Sequence, residues 1–239
     1  MKMALLGNAK NFVAQHGEDR LLWQMFKQRR SGFYIEMGAY DGVGNSNTYF
    51  LEQMGWTGLL VEPVPALYEK AKATRPNSRV VNAACSSPAK RGEADFTVVI
   101  GKDGDTHSGV SYLDTNQFHR QRCADDRYRH EVIQVPVVTL DDLLEEERLY
   151  DWPGSPPWTA ENGWQIDVVS LDTEGNEMDI LAGFTLAKFR PAVLLIENDR
   201  PGLPESQKIP LYLAKQGYVR FHRQTINDFY LRRDLMAKP

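Results

Sequence analysis

The sequence predicts a doubly wound α/β domain, a mostly parallel sheet with helices on both faces. Short, continuous apolar runs recur along the chain, each closed by an acidic or small residue. A segment with helical spacing follows nearly every run, and the first run opens into a glycine-rich turn. Buried parallel strands read this way because both faces of their sheet are covered, and ligands bind such sheets at the carboxyl ends of the strands.

Taken in order, residues 19–28 form the first expected helix. Leu21, Leu22, Met25 and Phe26 recur there at helical spacing behind Gly17-Glu18-Asp19. It lies in an N-terminal helical segment, 1–31. Runs 32–37 and 58–62 are expected strands, closed by Gly38 and Pro63, with helices at 46–54 and 66–73 after them. Further strand signals occupy 79–84, 94–100 and 134–138, the last leading into Leu140-Asp141-Asp142-Leu143-Leu144. Segments 166–171 and 192–197 are two more strands, with a helix at 177–181 between them. At 239 residues the chain suits one such domain, 1–239, with embellishments. The largest are 101–130 and the Pro/Gly-rich, Trp-bearing stretch 151–164, both expected as loops near the site.

Composition narrows the function classes. A hydrophobic fraction of 42% and a charged fraction of 25% are ordinary for a globular domain, and the net charge of −4 argues against a nucleic-acid partner. Only Cys85 and Cys123 occur, so neither a disulfide framework nor a thiol metal site is expected. No apolar run approaches the roughly 18 residues of a membrane span. A cytoplasmic protein with a small-molecule substrate and no membrane partner is therefore expected, with a homo-oligomer left open. The Arg120 to Arg129 region is basic but broken by Asp125 and Asp126, which reads as a solvated face.

The chemistry-bearing positions cluster at strand ends. Glu36-Met37-Gly38-Ala39-Tyr40-Asp41-Gly42-Val43-Gly44 is a turn in which backbone approaches a ligand closely, and Glu62 ends the second strand about twenty residues later. A carboxylate there accepts hydrogen bonds from both hydroxyls of a ribose. Glu36 and Asp41 bring negative charge to the turn, where a dinucleotide enzyme would cradle a pyrophosphate. A cationic adenosine cofactor fits that charge better. Neither a GxSxG elbow nor a GxxxxGK[ST] loop occurs.

Five motifs in this order resemble the FkbM family of S-adenosylmethionine-dependent methyltransferases. They are Gln15-His16-Gly17-Glu18-Asp19; Glu36 to Gly42 with Ser46-Asn47-Thr48; Gly55-Trp56-Thr57-Gly58 leading to Val61-Glu62-Pro63; Thr139-Leu140-Asp141-Asp142-Leu143; and Leu171-Asp172-Thr173-Glu174-Gly175-Asn176-Glu177. Glu36 stands where Asp is commoner, and Tyr40 where a small residue often stands. The resemblance implies a Rossmann-like class I methyltransferase fold and methyl transfer to a small-molecule hydroxyl on a sugar or natural product. It implies cofactor contacts by Gln15, Glu36, Gly38, Ala39, Asp41, Ser46, Asn47, Glu62, Pro63, Ala83, Ala84 and Asp172. The loops 101–130 and 151–164 would frame the acceptor.

Asp172 or Glu174 would serve as general base, with His107 a further candidate on a polar loop. Asp172, Glu197 and Asn198 also resemble the magnesium ligands of catechol-type O-methyltransferases, and hard oxygen donors suit such an ion. Asn47 and Thr48 read equally as helix caps. Two other functions stay open at this point: an NAD(P)- or nucleotide-sugar-binding enzyme on the same sheet, and a catalytically silent binding module.

Overall fold

The computed structural model describes residues 12–101, 111–113, 128–146, 166–199 and 204–236. Helix α1 spans Glu18–Met25 and ends where Lys27 and Gln28 turn left-handed, so it stops short of the expected 28. Strand β1 (Phe33–Met37), helix α2 (Tyr49–Gln53), strand β2 (Thr57–Val61), helix α3 (Pro65–Thr74) and strand β3 (Ser78–Val81) follow in the order expected. After β4 (Ala84–Cys85), β5 (Gly92–Gly101), β6 (Tyr112–Leu113) and β7 (Tyr128–Val138), the α/β alternation resumes. It continues as α4 (Leu140–Glu146), β8 (Val168–Leu171), α5 (Glu177–Ala182), α6 (Leu186–Phe189) and β9 (Val193–Glu197). Helix α7 (Lys208–Lys215) and the hairpin β10 (Tyr218–Gln224) and β11 (Asn227–Arg232) complete the described chain.

The main sheet has seven strands in the order β10-β11-β9-β8-β1-β2-β3. All adjoining pairs from β9 to β3 are parallel, whereas β11 runs antiparallel to both its neighbours. The doubly wound, mostly parallel architecture expected from the sequence is therefore present. The chain winds outward from β1 through β2 to β3, then returns to the other side of β1 with β8 and winds out again. The ends of β1 and β8 therefore lie at the point where strand order reverses, the place where such sheets open a crevice.

Alternate residues of the central strands feed two cores. Phe33, Ile35, Met37, Val169, Leu171, Leu194 and Ile196 pack with Leu140, Leu144, Ile180, Leu181 and Leu213 from α4, α5 and α7. Tyr34, Leu60, Val168 and Leu195 pack with Leu22, Trp23, Phe50 and Leu51 from α1 and α2 on the opposite face. Every residue of β1, β8 and β9 is buried, which explains why these strands read as unbroken apolar runs.

The middle of the chain departs from expectation. Segments 94–100 and 134–138 belong to β5 and β7, which pair antiparallel along their whole length in a second sheet ordered β4-β7-β5-β6. They do not continue the parallel series. Their apolar residues Phe96, Val98, Ile100, Val135 and Val137 face Val64, Leu67 and Ala84, forming a third core beside β2 and α3. Among the described residues no helix is long and apolar enough to cross a membrane.

Candidate active site

At the carboxyl ends of β1, β2, β8 and β9 lies a cavity of about 350 Å³. Gly38 makes it possible. Its φ is +77°, and a Cβ there would stand 2.0 Å from the carbonyl oxygen of Asp172, so only glycine lets the turn after β1 cross the end of β8.

Glu62 sits at the end of β2, 4% exposed and lining the cavity. Each carboxylate oxygen accepts one backbone N–H, Oε2 from Tyr40 at 2.8 Å and Oε1 from Val64 at 2.9 Å. Each keeps lone-pair capacity for a further donor. Burial pushes the carboxyl up to about 7, against the lowering effect of the two N–H bonds. Ala83, Ala84, Leu67, Phe96 and Leu113 form an apolar wall nearby.

Glu36 also lines the cavity, but its oxygens are occupied from within the protein. It accepts hydrogen bonds from Ser46 Oγ (2.8 and 3.0 Å), the Asn47 backbone N–H (2.8 Å) and Thr48 Oγ1 (2.6 Å). This binding holds 46–48 out of helical geometry, so α2 begins at Tyr49, three residues later than expected. Ser46 Oγ also accepts the Tyr49 N–H at 3.0 Å in the manner of a cap. Asn47 donates to Ser170 Oγ on β8 at 3.0 Å.

Asp41 is placed differently from the expectation that it faces the ligand. Its Oδ1 accepts the N–H groups of Val43 and Gly44 at 2.9 and 2.7 Å, closing the turn on itself, and it does not line the cavity. Gln15, Gly38, Ala39, Ser46, Asn47, Pro63, Ala83, Ala84 and Asp172 all do. Glu18 does not. It receives the His16 N–H and the Asn227 side-chain amide, which ties the N-terminal segment to β11.

The far wall is acidic. Asp172, Glu174 and Glu197 bring one carboxylate oxygen each within 4.8 Å of one another, and all three line the cavity. Burial raises the pKa of Asp172, with neighbouring Glu177 adding to the effect, and Asp172 accepts a hydrogen bond from Glu197. Burial followed by the charges of Asp172 and Glu174 likewise raises Glu197. Two carboxyls this close share a proton rather than both ionise. Glu177 is also raised by burial and is held by the N–H groups of Thr173 and Gly175.

Asn198 does not join this group. Adjacent residues on a strand point to opposite faces, and its amide donates to Asp228 at 2.9 Å and to the Ser206 carbonyl at 3.2 Å. Glu174, held in a left-handed turn at φ 55°, takes the third corner instead. His107, most of 101–130 and all of 151–164 lie outside the described residues.

Sequence reasoning missed Asn176, which lines the cavity and donates to the Cys85 carbonyl at 2.6 Å, and Ile226 at the tip of the β10–β11 hairpin. It also missed Arg75, which reads locally as a surface cation at a helix end before proline. Strand alternation was the one available signal, since it separates Glu197 from Asn198.

A family model described as the methyltransferase FkbM domain matches residues 36–151 and 158–220. Comparison with curated proteins gives no match. Among solved structures, the METTL16 MTase domain aligns at TM-score 0.46 and 13% identity over 90% of this chain, which spans only 65% of that chain's length. The O-methyltransferase TomG from Streptomyces achromogenes aligns at TM-score 0.46 and 12% identity, over 92% of this chain and 82% of that one. A TehB-like methyltransferase from Corynebacterium glutamicum aligns at 0.42 and 12%, over 91% and 88%.

Proposed function

We propose, from the premise that this chain belongs to the FkbM methyltransferase family, that it binds S-adenosylmethionine and methylates a hydroxyl of a small molecule. The observation that carries the cofactor reading is Glu62, a buried carboxylate with two oxygens still able to accept, at the end of the strand beside the glycine turn. Glu36, Asp172, Glu174 and Glu197 bring carboxyl groups to the cavity, and their negative charge speaks against a pyrophosphate and so against a dinucleotide.

The residues present fit the cofactor. Glu62 would hold the ribose hydroxyls, Ala83, Ala84 and Phe96 the adenine, and Gly38, Ser46 and Asn47 the methionyl end. When bound, S-adenosylmethionine supplies a methyl group on a sulfonium, whose leaving group needs no proton. What remains for the protein is to align the acceptor and to take the hydroxyl proton. Asp172 is suited to the second task, since burial and its acidic neighbours make its carboxylate a stronger base than an exposed one. Glu197 keeps that carboxylate oriented through its hydrogen bond. In a second form of this reading, favoured by the approach of the three carboxylates, Asp172, Glu174 and Glu197 would hold a divalent cation that acidifies the hydroxyl.

The first test is calorimetric titration with S-adenosylhomocysteine and, separately, NAD. Binding of NAD alone would overturn the cofactor reading. Assay of methyl transfer across a panel of hydroxylated metabolites then follows. On an acceptor found this way, Asp172→Asn should lower turnover on the order of 10²-fold or more with S-adenosylhomocysteine affinity nearly unchanged. Wild-type turnover in this variant would eliminate both the base and the ion. Full wild-type activity in EDTA would leave the base alone.

A further inference from the structure

Arg75 caps the carboxyl end of α3 with its side chain fully buried. Its guanidinium spends all its donors on the protein. Nε bonds Glu52 at 2.6 Å, Nη1 bonds the Gly42 carbonyl at 2.8 Å and Ser46 Oγ at 3.2 Å and reaches Glu36 at 3.4 Å, and Nη2 bonds the Tyr34 hydroxyl at 2.7 Å and Thr48 Oγ1 at 2.8 Å. Four of these partners, Glu36, Gly42, Ser46 and Thr48, belong to the end of β1 and the turn that follows.

That turn needs restraint from outside. Tyr40 holds left-handed backbone at φ 54°, which a bulky residue disfavours, and such a conformation persists only where surrounding structure over-determines it, whereas Asn45 at φ 58° tolerates that region. The end of α3 supplies this. Thr74 Oγ1 donates to the Asp41 carbonyl at 2.8 Å. A Cβ on Gly42 would stand 2.9 Å from Arg75 Cγ and 2.5 Å from Thr74 Oγ1, so helix and turn meet flush.

We propose that Arg75, which does not line the cavity, is a positioning residue for the cofactor site. Its fork holds the 40–48 turn in the strained path that presents Ser46 and Asn47 to the ligand. The inference rests on the S-adenosylmethionine reading. A planar fork with five donors is required, because a lysine ammonium is a point charge with three donors and cannot span carbonyl, hydroxyls and two carboxylates at once.

Calorimetry with S-adenosylhomocysteine, thermal melting and amide hydrogen exchange on the full chain test it. Arg75→Lys should bind about tenfold more weakly or worse, with faster exchange at the Asn47, Thr48 and Tyr49 amides. Tyr218→Phe loses a buried bond to the Pro191 carbonyl at the opposite end of the sheet, so it should melt earlier yet bind as the wild type does. Affinity within twofold of wild type in Arg75→Lys, or equal weakening in Tyr218→Phe, would overturn the proposal. Should Arg75→Lys not fold, Tyr34→Phe decides. It removes one Arg75 partner and keeps the ring, so it should weaken binding several-fold, and unchanged affinity would overturn the proposal. A wild type that does not bind S-adenosylhomocysteine would instead overturn the cofactor reading beneath it.

Discussion

Glu62 shows how much one side chain decides. In the free protein its carboxyl is raised to about 7 by burial, so near neutral pH a large fraction is protonated. Ribose hydroxyls donate to the ionised form, so binding lowers that pKa and releases a proton. S-adenosylhomocysteine affinity should therefore tighten as pH rises from about 6 to 8 and level off above. Glu62→Ala should lose about 1.5–3 kcal/mol of binding, the range for bonds to a charged acceptor, and lose this pH dependence with it. Titrations in buffers spanning that range check both, and an unchanged dissociation constant would remove Glu62 from the ribose. The residue itself was legible in the sequence, because a strand-end acid at this distance from a glycine turn is a local signature. Its raised pKa was not, since that depends on what is packed around it.

Between elements, the turn after β1 crosses closely over the end of β8. Gly38→Ala would place a methyl 2.0 Å from the Asp172 carbonyl in a left-handed backbone, forcing the two strand ends apart. Unfolding free energy should fall by about 1–3 kcal/mol, and S-adenosylhomocysteine binding should be lost. Gly217 is the control, with φ +85° but nothing within 4 Å of an added Cβ. Gly217→Ala should lose only about 1 kcal/mol from strain and leave affinity intact. Denaturant melts with parallel titrations check the pair, and equal effects of the two would remove the crossing from the site. The element boundaries teach the same lesson. The sequence placed a helix at 46–54, and the described helix starts at Tyr49 because Glu36 on β1 captures Ser46, Asn47 and Thr48, a partner ten or more residues away that no helical periodicity reveals.

Across the whole molecule, the two sheets differ in how deeply they are held. Every residue of β1, β8 and β9 is buried, whereas most of β7 faces outward and Val132 is 59% exposed. The β5–β7 ladder should therefore open before the main sheet, with amide exchange that is faster in the free protein and slowed by S-adenosylhomocysteine through Phe96 and Leu113, which line the cavity. Exchange in β5 as slow as in β1 would contradict this. The sequence by itself determined the parallel sheet, the glycine turn and about half of the residues around the cavity, because continuous apolar runs and strand-end signatures are local patterns written in neighbouring residues. Only the tertiary structure decided that 94–100 and 134–138 pair in a sheet of their own, that Arg75 grips the turn, and that Glu174 rather than Asn198 stands with Asp172 and Glu197. Strand pairing and buried charge are satisfied between segments far apart in the chain, where the requirement to bury apolar faces and leave no buried polar group without a partner selects among arrangements that local periodicity leaves equal.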